Sequence, residues 1–185
     1  MSLDEKLELA SKIIKEGGVV ICPTEGLYGI SCSIYNEQAI KRIIELKKRA
    51  SNKGLIVASD TIERISEHID FKKITKEQQQ KYLSKWPGFI TLVLPCKNLN
   101  PLLTGNRDTQ AFRVTAFPLF SKLIALSQCP IVSTSANISG CEPLRSISQL
   151  KEVFSDKVDY ILDESCQGLN KPSEIYDCIK DLRLR

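Results

Sequence analysis

The chain has 185 residues, of which 42% are apolar and 26% charged, and its net charge is +4. This length fits one domain with a sizeable core. The mildly basic charge does not establish nucleic-acid binding, although it suits anionic ligands. No apolar run approaches the roughly 20 residues that a membrane span needs, and the acidic N-terminus lacks the plan of a signal peptide.

The cysteines and the single histidine limit the possible chemistry. The seven cysteines form no Cys-x-x-Cys pair, and most lie in or beside apolar runs. Buried free thiols are therefore expected rather than disulfides or zinc, together with a cytoplasmic location. Because His68 is the only histidine, neither a His-based zinc site nor a Ser-His-Asp triad is available, and we predict no metal site on the protein.

Caps, apolar spacing and chain breakers predict the elements in order. Helices are expected from Ser2 to Gly17, from Asn36 to Arg49, from Asp60, from Thr75 towards Trp86, over residues 118–126 and over residues 148–154. Strands are expected at residues 19–22, 30–34, 55–58, 90–94, 112–114, 131–133 and 160–162, and near Ile175 and Leu182. Because this alternation is irregular, the sequence predicts an α/β protein with a mixed sheet rather than a regular doubly wound one.

One stretch combines a buried strand end with a polar loop. Residues 130–140 read Pro-Ile-Val-Ser-Thr-Ser-Ala-Asn-Ile-Ser-Gly, so Ser133, Thr134, Ser135 and Asn137 follow directly on two apolar residues. In open α/β sheets, ligands bind just beyond the carboxyl ends of strands. The pattern fits either a ligand-binding loop or an ordinary Ser/Asn turn.

A second polar loop, residues 23–29, brings together a hydroxyl, a carboxylate and a phenol after a predicted strand. Its two glycines permit backbone conformations that a Cβ would block. It serves either as part of a site or only as a turn between strands.

Cationic side chains provide the third and fourth candidate binding sites. Lys47, Lys48, Arg49 and Lys53 lie within seven positions at a predicted helix end, where they would suit a triphosphate or pyrophosphate. The alternative is a favourable interaction with the helix dipole in water. Arg113 lies within an apolar strand, so it either forms an internal ion pair or anchors a ligand carboxylate.

If a nucleotide is bound, the loops that bind it are unusual. The chain contains neither the Gly-x4-Gly-Lys-Ser/Thr phosphate loop nor the Gly-x-Gly-x-x-Gly fingerprint.

Taken together, six motifs in order resemble the YrdC-like family of threonylcarbamoyl-adenylate synthases, over about residue 17 to the C-terminus. They are Pro-Thr-Glu…Tyr-Gly (23–29), Lys-x-Arg (47–49), Trp-Pro-Gly…Thr (86–91), Arg-Val (113–114), Ser-x-Asn (135–137) and Pro-Ser-Glu-Ile (172–175). The short length resembles the family's single-domain bacterial form, so we expect one YrdC-like domain over residues 1–185.

The resemblance implies a twisted mixed sheet with flanking helices and a concave basic cavity. The implied activity condenses L-threonine, bicarbonate or CO2 and ATP to L-threonylcarbamoyl-AMP and pyrophosphate, with Mg²⁺ accompanying ATP and no organic cofactor. The product would serve threonylcarbamoylation of the adenosine next to the anticodon in tRNAs reading ANN codons, through separate transfer proteins. Whether the chain contacts tRNA itself stays open, and no membrane is involved.

Roles carried over from the family divide the candidate residues into two groups. For threonine they are Thr24, Arg113, Thr134 and Ser173, of which Thr134 could touch either substrate. For ATP they are Lys47, Arg49, Lys53, Ser135, Asn137 and Arg185, with Lys47 and Arg49 also expected to be catalytic by neutralising the leaving pyrophosphate.

The chain departs from the family pattern at a few positions. Gly26 replaces a hydroxyl or small side chain, Ala50 and Gly54 replace prolines that often follow Arg49 and Lys53, and Phe89 replaces a frequent proline. These departures predict more mobile loops.

Two rival functions remain at this stage. An RNA-binding module would use the same basic cavity to hold tRNA or ribosomal RNA, with steep salt dependence and no need for threonine. Carbamoyl-adenylate chemistry of the kind found in hydrogenase-maturation enzymes is disfavoured because the other domains of those enzymes are absent.

Overall fold

The computed structural model describes residues 1–185 and contains seven α-helices and nine strands. The helices are α1 Leu3–Lys15, α2 Glu37–Leu46, α3 Glu63–Ser66, α4 Lys76–Leu83, α5 Pro101–Thr104, α6 Pro118–Ser127 and α7 Ile147–Phe154. The strands are β1 Val20–Pro23, β2 Tyr28–Ser31, β3 Ile56–Ser59, β4 Ile90–Pro95, β5 Thr109–Val114, β6 Ile131–Ser135, β7 Tyr160–Ile161, β8 Glu174–Asp177 and β9 Leu182–Arg183.

All nine strands form one sheet in the order β7-β1-β2-β6-β3-β5-β4-β8-β9. The β1–β7, β3–β5 and β4–β8 pairs are parallel and the others antiparallel. The predicted α/β class with a mixed sheet is confirmed. Strands from both ends of the chain meet in this sheet, so residues far apart in sequence become neighbours.

Helices cover both faces of the sheet, because strand residues alternate between two cores. The smaller core packs α1 and α6 onto one face through Leu7, Ala10, Ile14, Phe120, Leu123, Ile124, Val20, Cys22, Ala58 and Ile131. The larger core includes Ile40 and Ile43 of α2 on the other face. Each fully buried Leu or Ile contributes roughly 1.5–3 kcal/mol to stability.

The helix starts that the sequence predicts from capping boxes agree with the structure. Ser2 and Glu5 form the expected capping box of α1, and Thr75 and Gln78 form that of α4. The helix expected from Asp60 is only the single turn α3, and its N-cap position, Ile62, makes no side-chain cap bond.

The second strand begins and ends earlier than predicted. We expected residues 30–34, but β2 begins at Tyr28, which pairs with Pro23, because residues 24–27 close a tight turn through a Thr24–Leu27 backbone bond. Beyond Ser31 only an isolated bridge from Ser33 to Ile131 remains. The helix α5 was not predicted.

No helix in the structure combines the length and apolar character needed to cross a bilayer. All seven cysteines are free.

Candidate active site

A cavity of about 730 Å³ lies against the sheet and is lined by residues of β2, β3, β4, β5, β6 and β8 and of the loops around them. Its wall carries eight cations and only two carboxylates, Glu142 and Asp177. The cations are Arg49, Lys53, Arg107, Arg113, Arg145, Lys171, Lys180 and Arg185. A concave wall of one charge sign concentrates the field on an anionic ligand.

The arginines divide according to their partners. Four of the chain's eight arginines form ion pairs with carboxylates, namely Arg42, Arg64, Arg113 and Arg183. The other four, Arg49, Arg107, Arg145 and Arg185, have no carboxylate within 4 Å, and all of them line the cavity. The unneutralised guanidinium groups are therefore collected at one place.

Sheet register places the polar loop residues in this wall. Gly29 of β2 pairs with Ser135 of β6, and Ile30 pairs with Thr134. On the other side of β6, Ser133 pairs with Ile56 of β3. The end of β6 therefore lies between the 24–27 turn and the segment that follows Lys53.

Arg113 is a buried guanidinium with one charged partner. Its exposed fraction is 5%, and Nη2 lies 3.2 Å from Oε2 of Glu25, which is itself buried. The alignment does not make a hydrogen bond, so Nε and Nη2 of Arg113 and Oε2 of Glu25 all lack one. Burial lowers the pKa of Arg113, and Glu25 opposes this. The two readings left open by the sequence thus coexist: Arg113 forms an internal ion pair and also lines the cavity.

The guanidinium and its partner are held on several sides. The guanidinium carbon of Arg113 lies 5.8 Å from the ring centroid of Phe89 and 5.5 Å from that of Phe120. Oε1 of Glu25 accepts a hydrogen bond of 2.6 Å from Oγ1 of Thr115. In the sequence Glu25 is only a carboxylate within a predicted turn, and no local pattern indicates its pairing with Arg113.

Two predicted threonine-site hydroxyls line the cavity but already have partners. Oγ1 of Thr24 donates to the Leu27 carbonyl at 2.6 Å, and Oγ of Ser173 lies 2.8 Å from Oγ1 of buried Thr91. Thr134, also on the wall, makes no side-chain hydrogen bond within the protein. Together with Arg113, these residues combine one positive charge with small hydroxyl groups.

Arg49 and Lys53 occupy another part of the wall. Nε of Arg49 donates to the Gly54 carbonyl at 3.0 Å, and Nη2 lies 3.4 Å from the Lys53 carbonyl oxygen. Burial, and then the nearby charge of Arg107, lower the pKa of Arg49. Lys53 is exposed and ends a 3-10 turn, Ser51–Lys53.

Lys47 and Asn137 lie behind the wall rather than on it. The Lys47 ammonium is 2% exposed and donates to the carbonyls of Ser135 and Asn137 and to Oδ1 of Asn137, the last two at 2.8 and 3.0 Å. Asn137 Oδ1 also accepts from Oγ of Ser135 at 2.6 Å. The backbone carbonyl of Lys47 accepts from Ser139. A direct phosphate contact by Lys47 would require its ammonium to leave these oxygens.

Burial, and then the charge of Arg49, lower the pKa of Lys47 to about 8. Three oxygens surround this ammonium, so its protonated form fixes the loop after β6.

Arg185 reaches the cavity from the C-terminal hairpin of β8 and β9. Its Nε donates to the Ser173 carbonyl at 3.0 Å, and its own carbonyl accepts from Ile175. Burial lowers its pKa. Ser173 therefore links the predicted threonine group to the predicted nucleotide group.

Gly26 has a steric reason for lacking a side chain. A Cβ there would lie 1.9 Å from the Lys171 carbonyl oxygen. The covering segment, residues 163–173, also bonds to this turn through Gln167 to Thr24 and Leu169 to Glu25 backbone pairs. Gly26, where the chain departs from the family pattern, thus lies where the turn packs closely against the backbone of Lys171.

The protein offers no evident metal centre. No group of three or more His, Cys, Asp or Glu side chains is placed to hold an ion. Of the two wall carboxylates, Asp177 already accepts from the backbone N–H groups of Ile179 and Lys180 through Oδ1. This donor set does not fit a protein-held Mg²⁺, which prefers carboxylates and water in octahedral geometry.

Comparison with known proteins decides the family. The Sua5/YciO/YrdC family model, described as "Telomere recombination", matches residues 12–184. The chain belongs to the Sua5/YciO/YrdC family. A relative in Aliivibrio fischeri, named threonylcarbamoyl-AMP synthase, is 38% identical over 165 residues that cover 89% of each chain. A Pseudoalteromonas translucida relative of the same name is 37% identical and covers 97% of this chain and 96% of the relative.

Solved structures of the Sua5/YciO/YrdC family have the same fold. P. abyssi Sua5 complexed with L-threonine superposes with a TM-score of 0.84 at 34% identity, over 92% of this chain and 50% of that chain. The chain thus spans about half of P. abyssi Sua5. E. coli YciO has a TM-score of 0.86 at 21% identity, over 100% of this chain and 89% of that chain, and supports the fold alone.

Proposed function

We propose that the chain condenses L-threonine, bicarbonate or CO2 and ATP to L-threonylcarbamoyl-AMP, releasing pyrophosphate. The observation that carries this proposal is one cavity whose wall contains both the buried Arg113 and the unpaired Arg49. An amino-acid carboxylate and a polyphosphate each need such a cation. The names of the Aliivibrio and Pseudoalteromonas relatives and the threonine complex of P. abyssi Sua5 support the same activity.

Threonine is assigned to the Arg113 side. Its carboxylate would pair with the Arg113 guanidinium where that side chain lines the cavity. Charge-assisted hydrogen bonds of this type contribute roughly 1.5–3 kcal/mol. Thr134 offers a free hydroxyl, and Thr24 and Ser173 shape the surrounding wall.

ATP is assigned to the Arg49 side. Arg49, Lys53 and Arg185 line the cavity and would face the phosphates, and Ser135 lies beside them. We assign Lys47 and Asn137 an indirect part, because both hold the Ser135 loop from behind. The predicted Mg²⁺ would arrive on the ATP phosphates, since the wall does not provide its ligands.

The proposed chemistry depends on orientation and charge rather than on a covalent intermediate. The cavity wall contains no Cys or His, and the wall hydroxyls have no adjacent base. The neutral threonine amine would attack CO2 with release of a proton, or bicarbonate with release of water, to form a carbamate. A carbamate oxygen would then attack the α-phosphate as pyrophosphate leaves. Holding the reactants in place contributes roughly 7–11 kcal/mol in well-oriented systems, and Arg49 would offset charge on the leaving group.

The product would serve tRNA modification through separate transfer proteins in the cytoplasm. This part of the proposal depends on the product alone and requires no tRNA contact by this chain.

The deciding experiment is an incubation with ATP, L-threonine and bicarbonate, analysed for threonylcarbamoyl-AMP by mass. We expect product and pyrophosphate only when all three are present, without RNA. Arg49→Ala should slow pyrophosphate release at least about tenfold, which corresponds to roughly 1.4 kcal/mol in the barrier. Absence of product, together with salt-sensitive RNA binding that ignores threonine, would favour the RNA-binding alternative instead.

A further inference from the structure

Arg107 forms a second guanidinium next to Arg49, although no motif in the sequence marked it. It lies in the loop between α5 and β5, whereas Arg49 follows α2, so the two come from different parts of the chain. Nη2 of Arg107 donates to the Lys53 carbonyl at 3.1 Å, the same oxygen that lies 3.4 Å from Nη2 of Arg49. Two positive side chains therefore share one acceptor.

This arrangement places like charges together without a counter-ion. Neither arginine has a carboxylate within 4 Å, and Lys53 adds a third cation without such a partner. Like charges held this close disfavour each other's charged form. The lowered pKa of Arg49, caused by burial and then by Arg107, reflects this repulsion. An anion bound between them would relieve it.

Glycine permits the close approach of Arg107. A Cβ at Gly54 would lie 2.8 Å from Nη2 of Arg107 and 2.8 Å from the Leu103 carbonyl oxygen. The backbone N–H of Leu55 donates to the same Leu103 carbonyl, at 2.8 Å. Gly54, where the family often has proline, thus leaves room for the second guanidinium against the backbone.

We propose that Arg107 is a phosphate-binding residue that, with Arg49 and Lys53, holds the pyrophosphate end of ATP. Two guanidinium forks and one ammonium match the two adjacent phosphoryl groups that leave together. This inference rests on the proposed function, because it assigns a subsite within the same cavity. The exposed position of Arg107 on the wall leaves it accessible to ligand.

The test is calorimetric titration of the full chain with inorganic pyrophosphate and, separately, with AMP. Arg107→Ala should raise the Kd for pyrophosphate at least about tenfold, as expected for one lost charge-assisted contact, and leave the Kd for AMP within twofold. Arg107→Lys should give an intermediate loss, because the charge remains without the planar fork. Lys97→Ala removes one charge from a nearby exposed lysine that is not on the wall and should change neither Kd.

Separate outcomes distinguish this inference from the proposed function. Unchanged pyrophosphate affinity in Arg107→Ala, in a protein that still forms threonylcarbamoyl-AMP, would overturn the role of Arg107 alone. An equal loss of AMP and pyrophosphate affinity, with a lowered melting temperature, would also overturn it, because Arg107 would then only brace the loop. A wild-type protein that binds neither ATP nor pyrophosphate would contradict the proposed function itself.

Discussion

Two buried charged side chains organise the cavity in different ways. Arg113 lines the cavity and has unfilled hydrogen-bonding positions, whereas Lys47 lies behind the wall with its ammonium surrounded by three oxygens. Burying a charge is costly without a partner. The partner of Arg113 is the Glu25 carboxylate, whereas the partners of Lys47 are oxygen atoms of Ser135 and Asn137.

The protonation state of Lys47 should make ATP binding depend on pH. With a pKa of about 8, the ammonium loses its proton as the pH rises through 8, and its bonds to the Ser135 loop weaken. Because charged hydrogen bonds exceed neutral ones by roughly 1 kcal/mol, the KM for ATP should rise about fivefold between pH 7 and pH 9.5. The measurement is a pH series of KM, with Lys53→Arg as a control that keeps the wild-type profile.

The free energy of unfolding should not follow the same pH profile as the KM for ATP. The pKa of Lys47 is lower in the folded chain than its ordinary value of 10.5. Between pH 8 and 10.5 the unfolded chain therefore holds more protons, and this group's contribution to stability rises with pH. A KM for ATP that does not change between pH 7 and pH 9.5 would contradict the role assigned to Lys47.

Glu25 compensates the charge of Arg113, so Glu25→Gln should destabilise the protein and change its response to threonine. Removing one partner of a buried ion pair costs roughly 3–5 kcal/mol, which lowers the melting temperature by roughly 6–20 °C. Threonine would bring a new carboxylate to the uncompensated guanidinium. We therefore expect saturating threonine to raise the melting temperature more in this variant than in the wild type.

The matched control for Glu25 is Thr115→Val, which removes the hydrogen bond to Oε1 and the one that Oγ1 accepts from the Phe117 N–H, and keeps the charge of Glu25. It should show the wild-type threonine response. If Glu25→Gln gains no extra stabilisation from threonine, Arg113 does not meet the substrate carboxylate.

Among the elements, the 24–27 turn depends on close backbone packing. Gly26→Ala would place a methyl group 1.9 Å from the Lys171 carbonyl, and overpacking of this kind costs roughly 1–3 kcal/mol. The melting temperature should fall by about 2–10 °C, and the KM for threonine should rise severalfold, because Thr24 and the covering segment move together. Thermal denaturation and steady-state kinetics measure both effects.

Gly140→Ala provides the comparison for the Gly26 turn. A Cβ at Gly140 meets nothing within 4 Å, although its φ of +87° is unfavourable for alanine. This variant should lose some stability and keep the wild-type KM for threonine. A Gly26→Ala protein with unchanged threonine kinetics would show that the turn does not shape the threonine side.

The helices and strands also show how much of the fold can be predicted from the sequence. Capping boxes at Ser2 and Thr75 are local signals, and both helix starts were predicted correctly. The start of β2 was missed because Tyr28 and Gly29 looked like loop residues, and only their pairing with Pro23 and Cys22 makes them a strand. The α5 helix has four residues, too few for apolar periodicity to reveal it.

For the site, the sequence identified residue types better than their exact partners. Motif order brought Arg49, Arg113, Ser135 and Arg185 into the candidate set, and all four line one cavity. The role of Glu25 and the position of Arg107 depend on contacts across the sheet and between loops, which no local pattern records. The position of Lys47 behind the wall likewise follows from its contacts with a loop about 90 residues later.

At the scale of the whole molecule, one mixed sheet collects these residues. Parallel pairing of β3 with β5 aligns Ala58 with Arg113, and antiparallel pairing of β2 with β6 aligns Gly29 with Ser135. Six strands of the sheet and the loops around them line the site. The unpaired arginines of the chain then face one space rather than being spread over the surface.

The most direct test is a crystal structure of the chain with L-threonine and a non-hydrolysable ATP analogue. Both ligands should lie in the one cavity, with the threonine carboxylate on Arg113 and the terminal phosphates on Arg49. The threonine nitrogen should face the α-phosphate, with space between them for a single carboxylate carbon. Ligands found in separate pockets, or threonine bound away from Arg113, would contradict the account.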